Sequence, residues 1–199
     1  MGANVIWCDV ETTGLDTENA GAFQIAFIGV TTDKDKKSVH KRMFFLNPLS
    51  DKIVYNEESG KIHGISEDEI RSYCPESEII PNIAKYLEQI STNFGTQPKM
   101  LSYFCGYNPC FDWKFLDAAF KRHGYKLSDY CSPNVLDVME QAKKAVASGR
   151  VNRFENLKLT TVAKSMGVNM ENAHDALCDI NATREVSGIF AKLGINLLA

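Results

Sequence analysis

Val5-Ile6-Trp7-Cys8-Asp9-Val10-Glu11-Thr12-Thr13-Gly14-Leu15 carries the first structural signal of the chain and the first chemical one. Val5–Val10 is apolar and rich in β-formers, which predicts a buried strand. Side chains alternate along a strand, so Asp9 and Glu11, two apart, leave the same face at its end. Gly14 and Asp16 mark a turn. Working outward, Phe23–Thr32 reads as a second strand, Asp33–Lys37 (with Lys34, Lys36 and Lys37) as a charged hairpin tip, and Val39–Leu46 as a third strand stopped by Asn47-Pro48. Three strands in succession imply an antiparallel meander.

Helical patterns follow. Ser66 with Glu69 fits a capping box. Pro81 reads as the first residue of a helix with Ile83, Ala84, Leu87 and Ile90 on one face. Met100–Tyr107 is expected to be a fourth strand. Pro109–Arg122 reads as a helix with Phe111, Phe115, Leu116, Ala119 and Phe120 inward, stopped near Gly124. Val135–Val138 is expected to be a short fifth strand. Helices at about Leu159–Met166 and Asp175–Leu193 should each close on a glycine, Gly167 and Gly194. Asn93–Lys99 and Gln141–Asn156 read as connecting segments, neither a domain boundary. The order βββ-α-β-α-β-α-α predicts an α/β fold, a mixed sheet flanked by helices.

Composition narrows the classes. The chain has 199 residues, 44% hydrophobic and 24% charged, which suits one globular domain spanning 1–199 and excludes disordered and fibrous classes. A formal net charge of −3 gives no global field to attract a polyanion, so a nucleic-acid partner needs a local site. The longest apolar stretch, about Phe23–Val30, is far short of the roughly 20 residues of a membrane helix. With no signal peptide at its start, the chain reads as a soluble, cytoplasmic protein with no membrane partner. Cys8, Cys74, Cys105, Cys110, Cys131 and Cys178 form no C-x-x-C pair, so free thiols in a reducing compartment are expected and zinc is not.

Three acidic islands carry the chemistry. The first holds Asp9 and Glu11. The second is Asn108-Pro109-Cys110-Phe111-Asp112-Trp113-Lys114-Phe115-Leu116, with Asp112 in the first turn of an apolar helix. The third is His174-Asp175-Ala176-Leu177-Cys178-Asp179-Ile180-Asn181-Ala182-Thr183, with Asp175 the expected N-cap of the last helix and Asp179 five residues beyond His174. Each has an ordinary structural explanation when taken alone: a solvated strand end, a carboxylate complementing a helix dipole, a surface histidine.

Taken in order, Asp-x-Glu-Thr-Thr-Gly-Leu, Asn-x-x-Phe-Asp-x-x-Phe-Leu and His-Asp-Ala-x-x-Asp-x-x-Ala-Thr closely resemble the three motifs of the DEDDh 3′–5′ exonuclease family. That family includes the proofreading epsilon subunit of bacterial DNA polymerase III, ribonuclease T and oligoribonuclease. The resemblance runs from about Val5 to Ile189. It implies a ribonuclease-H-like fold with a five-stranded mixed sheet between helices. It also implies that Asp9, Glu11, Asp112 and Asp179 bind metal and that His174 is the general base. The physics agrees. Two like charges 4 Å apart repel by about 4 kcal/mol at an effective dielectric near 20, so a carboxylate cluster persists with shifted pKa values or with cations. Oxygen ligands favour Mg²⁺ or Mn²⁺, and two such ions about 3.5–4 Å apart would clamp the attacking and leaving oxygens of a phosphodiester.

The resemblance further implies substrate contacts from Thr12, Thr13, Gly14 and Leu15 to the terminal nucleotide, from His63 in Ile62-His63-Gly64-Ile65 beside its base, and from Asn108 near the scissile phosphate. The chain departs from the family at Tyr107, where histidine is common. Gln141–Met170 is locally basic through Lys143, Lys144, Arg150, Arg153, Lys158 and Lys164, which makes it either a phosphate track or a solvated face. The expected activity is metal-dependent hydrolysis at single-stranded or frayed 3′ ends, releasing nucleoside 5′-monophosphates. Glu-Thr-Thr-Gly-Leu favours DNA. The alternatives are an exoribonuclease of ribonuclease T or oligoribonuclease type, and a catalytically silent nucleic-acid-binding module. A polymerase is a further partner, although the end at Ala199 without a tail resembling a polymerase-binding extension favours a free-standing enzyme.

Overall fold

Alternation along β1 (Val5–Thr12) sends Ile6, Cys8 and Val10 to one face and Trp7, Asp9 and Glu11 to the other. Both faces are covered in the computed structural model, which describes residues 4–33, 36–170 and 174–197. The sheet has the order β3-β2-β1-β4-β5. β2 (Ala22–Asp33) and β3 (Lys36–Phe45) form the expected meander with β1, whereas β4 (Ser102–Gly106) and β5 (Cys131–Asp137) run parallel to it. The mixed five-stranded sheet flanked by helices is therefore present. Asp33, Lys36 and Lys37 are paired strand residues and not, as the sequence suggests, part of a hairpin tip, and Lys34 and Asp35 lie outside the described residues.

On one face α3 (Glu76–Ser91) and α4 (Cys110–Arg122) pack Ile80, Ile83, Leu87, Ile90, Phe115, Leu116 and Phe120 against Ile6, Cys8, Ile25 and Phe27. On the other, α5 (Val138–Ala147), α6 (Leu159–Ser165) and α7 (Ala176–Lys192) set Val138, Ala142, Val162, Ile180, Val186 and Phe190 against Trp7, Ala26, Ile28 and Cys105. Two short helices, α1 (Glu57–His63) and α2 (Glu67–Ser72), lie between β3 and α3. Ser66 caps α2 by accepting from the Glu69 amide, but the Glu69 carboxylate turns to the Tyr73 hydroxyl, so only half of the capping box forms.

Three expectations need correction. Pro81 does not start α3, which begins at Glu76. The Glu76 carboxylate is buried and held by Arg122 Nε and Nη2, both at 2.8 Å, and by His123 Nε2 at 2.9 Å, which fixes the helix start five residues earlier. Much of Gln141–Asn156 is not a connecting segment but belongs to α5, whose inward face is Val138, Gln141, Ala142 and Ala145. Finally, β5 starts at Cys131, four residues before the expected strand, and Val138 already belongs to α5. Gly167 and Gly194 do follow α6 and α7 in the left-handed region, at φ +75° and +80°. Cys8, Cys74, Cys105, Cys110 and Cys131 are free thiols, as expected. Among the described residues no helix is long and apolar enough to cross a membrane.

Candidate active site

β1 outruns its parallel neighbour. Pairing with β4 ends at Trp7 and Cys105, so the last residues of β1 have a free edge on that side. Gly106 permits the close approach there, because a Cβ on it would lie 2.9 Å from the Cys8 carbonyl oxygen. The N-terminus of α4 fills the gap, and the Asp112 carboxylate, only 4% exposed, takes the free Val10 amide at 2.9 Å. A buried carboxylate is thereby pinned beside the strand that carries Asp9 and Glu11.

From the α7 side come His174 and Asp179. His174 is exposed and adopts φ +72°, and its amide donates to Asp179 Oδ2 at 3.3 Å. Asp175 caps α7 by accepting from the Cys178 amide, as expected. Ligand atoms of Glu11, His174 and Asp179 all lie within 4.8 Å of one another. Asp9 and Asp112 are electrostatically linked to this group without belonging to it by distance.

The charges oppose one another. Burial, reinforced by Asp112, Asp179 and Glu11, pushes the Asp9 carboxyl well above the usual carboxylate range. Burial and then Asp179 push Glu11 up to about 8. Burial pushes Asp112 up to about 7, against the pull of the amides it accepts from. Asp179 is raised as well, chiefly by burial, and its buried Oδ1 has no hydrogen-bond partner among the described residues. A set of carboxylates at this density, with an orphaned buried oxygen and an imidazole at its rim, fits hard divalent cations by donor chemistry.

The substrate-facing expectations divide. Leu15 is 81% exposed, which rules out a core role, and it lines two cavities of about 430 and 330 Å³, the first shared with Val54, Tyr55 and Ile62, the second with Asn108, Phe111 and Lys114. Thr13 is fully buried. Its hydroxyl accepts from the Gly21 amide, its own amide donates to the Gly21 carbonyl, and its carbonyl accepts from the Asn56 amide. Thr13 therefore shapes the turn. The Thr12 hydroxyl donates to the Gly14 carbonyl at 2.7 Å and tightens the same turn. Asn108 has φ +56°, gives its amide to Asp137 Oδ1 at 2.9 Å and leaves its side chain exposed at the second cavity.

His63 is half-buried at the end of α1, with its ring centroid 4.7 Å from that of Phe23. Its Nδ1 accepts from the Ile65 amide, so the neutral ring carries its proton on Nε2, a buried atom without a partner among the described residues. Burial, helped by His174 nearby, holds its pKa below the usual histidine value. Tyr107 points away: its hydroxyl donates to the Leu157 carbonyl at 2.7 Å and ties β4 to the segment before α6. In the basic segment, Lys143 pairs with Glu140 and Arg150 binds the Leu193 carbonyl at the end of α7, so these two serve local structure.

Sequence reasoning missed two residues that organise the site. Asp137 accepts from the amides of Asn108 and Met139, joining the turn before α4 to the start of α5. Gln24 bonds to the start of α7. Its signal was legible: it is the single polar side chain in the run Ala22–Phe27.

Comparison with known proteins gives a consistent set. The family model described as "Exonuclease" matches residues 6–187. An oligoribonuclease of Actinobacillus pleuropneumoniae is 26% identical, over 98% of this chain and 95% of its own length. A PolC-type DNA polymerase III of Caldanaerobacter subterraneus is 28% identical over 89% of this chain but only 11% of its own length. In fold, the chain superposes on E. coli exonuclease I, solved in a zinc-bound form with single-stranded DNA, with TM-score 0.79 and 22% identity over the whole of this chain. It spans 42% of that exonuclease I chain.

Proposed function

The chain belongs to the exonuclease family, and from that premise we propose how its acidic cleft works. It is a 3′–5′ exonuclease, and enzymes of this family use divalent metal ions. Our reading assigns Asp9, Glu11, Asp112 and Asp179 as the ligands of two Mg²⁺ or Mn²⁺ ions. The observation that carries it is the crowding of Glu11, Asp179 and His174 within 4.8 Å, with one Asp179 oxygen buried and unpartnered. When bound, such cations neutralise the phosphate and make a nearby water more acidic.

The chain's own residues do the rest. His174, exposed at the rim, accepts the proton of the attacking water, a role typically worth 10²–10⁴-fold. The oxygen of that water bonds to phosphorus, the bond from phosphorus to the 3′ oxygen breaks, that oxygen takes a proton from solvent to become the new 3′ hydroxyl, and a nucleoside 5′-monophosphate leaves a strand one residue shorter. Val10 holds Asp112 in place through its amide. The tight Thr12–Leu15 turn presents Leu15 to the terminal bases, and His63 offers its Nε2 proton from beside His174.

Single-stranded or frayed DNA ends are the proposed substrate, on the strength of Glu11-Thr12-Thr13-Gly14-Leu15. A second reading, an exoribonuclease, has its own support: the oligoribonuclease relative is matched along 95% of its length. An association with a polymerase has the PolC-type relative behind it, and action in the cytoplasm is part of the same reading. Matched 5′-labelled DNA and RNA strands separate these readings. A ladder of progressive shortening that stops in EDTA is expected. Release of the label as a mononucleotide at first contact, or full activity in EDTA, overturns the proposal.

A further inference from the structure

The residue just after the proposed base is held from across the sheet. Gln24 stands on β2 directly opposite Glu11, on the face that α7 covers. It is 8% exposed. Its Nε2 donates to Asp175 Oδ2 at 3.3 Å, and its Oε1 accepts from the Ala176 amide at 3.2 Å. The orientation of the amide group is fixed by chemistry: a carboxylate only accepts and a backbone amide only donates. The same Nε2 lies 3.6 Å from Met43 Sδ. Asp175 uses its other oxygen on the Cys178 amide, so the two Gln24 bonds and the cap form one unit at the first turn of α7.

This unit has a consequence for His174, the residue that precedes it in the chain. His174 is exposed and has a left-handed φ of +72°. Its amide is tied to the site through the bond to Asp179 Oδ2. Asp179 sits one turn along the same helix. Both groups therefore inherit their position relative to Glu11 from where α7 begins, and Gln24 is the side chain that links that start to the strand beside Glu11.

We propose that Gln24 is a positioning residue: by clamping Asp175 and Ala176 it sets the register of His174 and Asp179 against Glu11. The inference rests on the reading of His174 as the base. A misplacement of about 1 Å costs on the order of 10²-fold in rate. The bonds of Gln24 run to α7 and not to the Thr12–Leu15 turn, so binding of the terminal nucleotide is untouched.

A donor–acceptor exchange tests this. Gln24→Glu removes the donor and sets two carboxylates face to face, and Asp175→Asn sets two amide donors face to face. In the double variant the partners trade roles: the amide introduced at position 175 donates to the carboxylate introduced at position 24. That carboxylate also accepts from the Ala176 amide, and the local charge is that of the parent. Turnover at saturating substrate should fall about 10-fold or more in each single variant, with KM within about twofold, and should recover to within about threefold of the parent in the double variant. Thermal midpoints of all four proteins, read in parallel, confirm that folded protein is compared. Single variants that keep parental turnover, or a double variant as slow as the singles while folded, would overturn the clamp. His174→Ala, measured beside them, separates the two readings: parental turnover there defeats the base assignment, whereas a slow His174→Ala with fast Gln24 variants defeats the clamp alone.

Discussion

Removing metal from this protein should make its stability fall as pH rises, the reverse of the usual behaviour of carboxylates. Asp112, 4% exposed, holds its proton to about pH 7 against 3.8 for an ordinary aspartate, and Glu11 to about pH 8 against 4.5. Between about pH 4 and 8 the folded chain thus keeps protons that the unfolded chain has released. Stability is then fully present below about pH 4 and is lost as pH rises through about 7 to 8. A tenfold change is about 1.4 kcal/mol, so ionising Asp112 alone costs the fold about 4 kcal/mol at pH 8. For about 200 residues that corresponds to roughly 10 °C in midpoint. The assay is thermal unfolding in EDTA at pH 5, 6, 7 and 8, with a parallel Mg²⁺ series. Asp112→Asn keeps an acceptor for the Val10 amide and removes the charge. It should unfold at a higher temperature than the parent at pH 8 in EDTA, the gap closing toward pH 5, while losing nearly all turnover. Mg²⁺ should raise the parental midpoint most at pH 8. Parent and variant curves that run parallel from pH 5 to 8 would refute the charge-crowding argument.

His174→Ala should lower turnover by about 10²-fold or more while metal-induced stabilisation persists, measured by single-turnover kinetics and by midpoint shifts. Leu15→Ala, which removes an exposed apolar side chain between two cavities, should raise KM about 10-fold, corresponding to about 1.4 kcal/mol of lost contact, with the unfolding midpoint unchanged. Glu76→Ala, by stranding Arg122 and His123, should cost about 3 kcal/mol in denaturant unfolding and leave KM alone. Arg150→Gln should lower stability through loss of its bond to the Leu193 carbonyl, whereas Arg153→Gln should weaken long-strand affinity and flatten its salt slope by about 0.7; equal slopes in parent and Arg153→Gln would make the segment a solvated face.

The first three strands and the helices α4 and α7 were legible because their apolar signals are strong: the run Val5–Val10 and the Phe115, Leu116, Ala119, Phe120 stripe need no tertiary information. Helix α5 was not, although Val138, Ala142 and Ala145 recur at helical spacing, because it is short and Gln141 sits on its inward face. Nor was the start of α3, which depends on Glu76 meeting Arg122 and His123, residues 46 and 47 positions away. In the site, motif order located the carboxylates and the histidine, but which atoms approach within 4.8 Å is decided by how α7 sits on β1 and β2. Thr13 shows the limit from the other side: a buried motif residue whose amide, carbonyl and hydroxyl oxygen are taken up by Gly21 and Asn56.

The bare methyl groups of Leu15 bear on what the enzyme can fail to notice. A leucine offers dispersion contact and no donor or acceptor, and every nucleobase has a face to lay against it. If the two cavities beside it take successive bases, that contact is blind to letters. Such an enzyme would travel through any sequence at a similar pace, stalling only where a strand cannot be pulled free of its complement. Whatever chemical preference it has for one kind of strand must then reside at the sugar and phosphate.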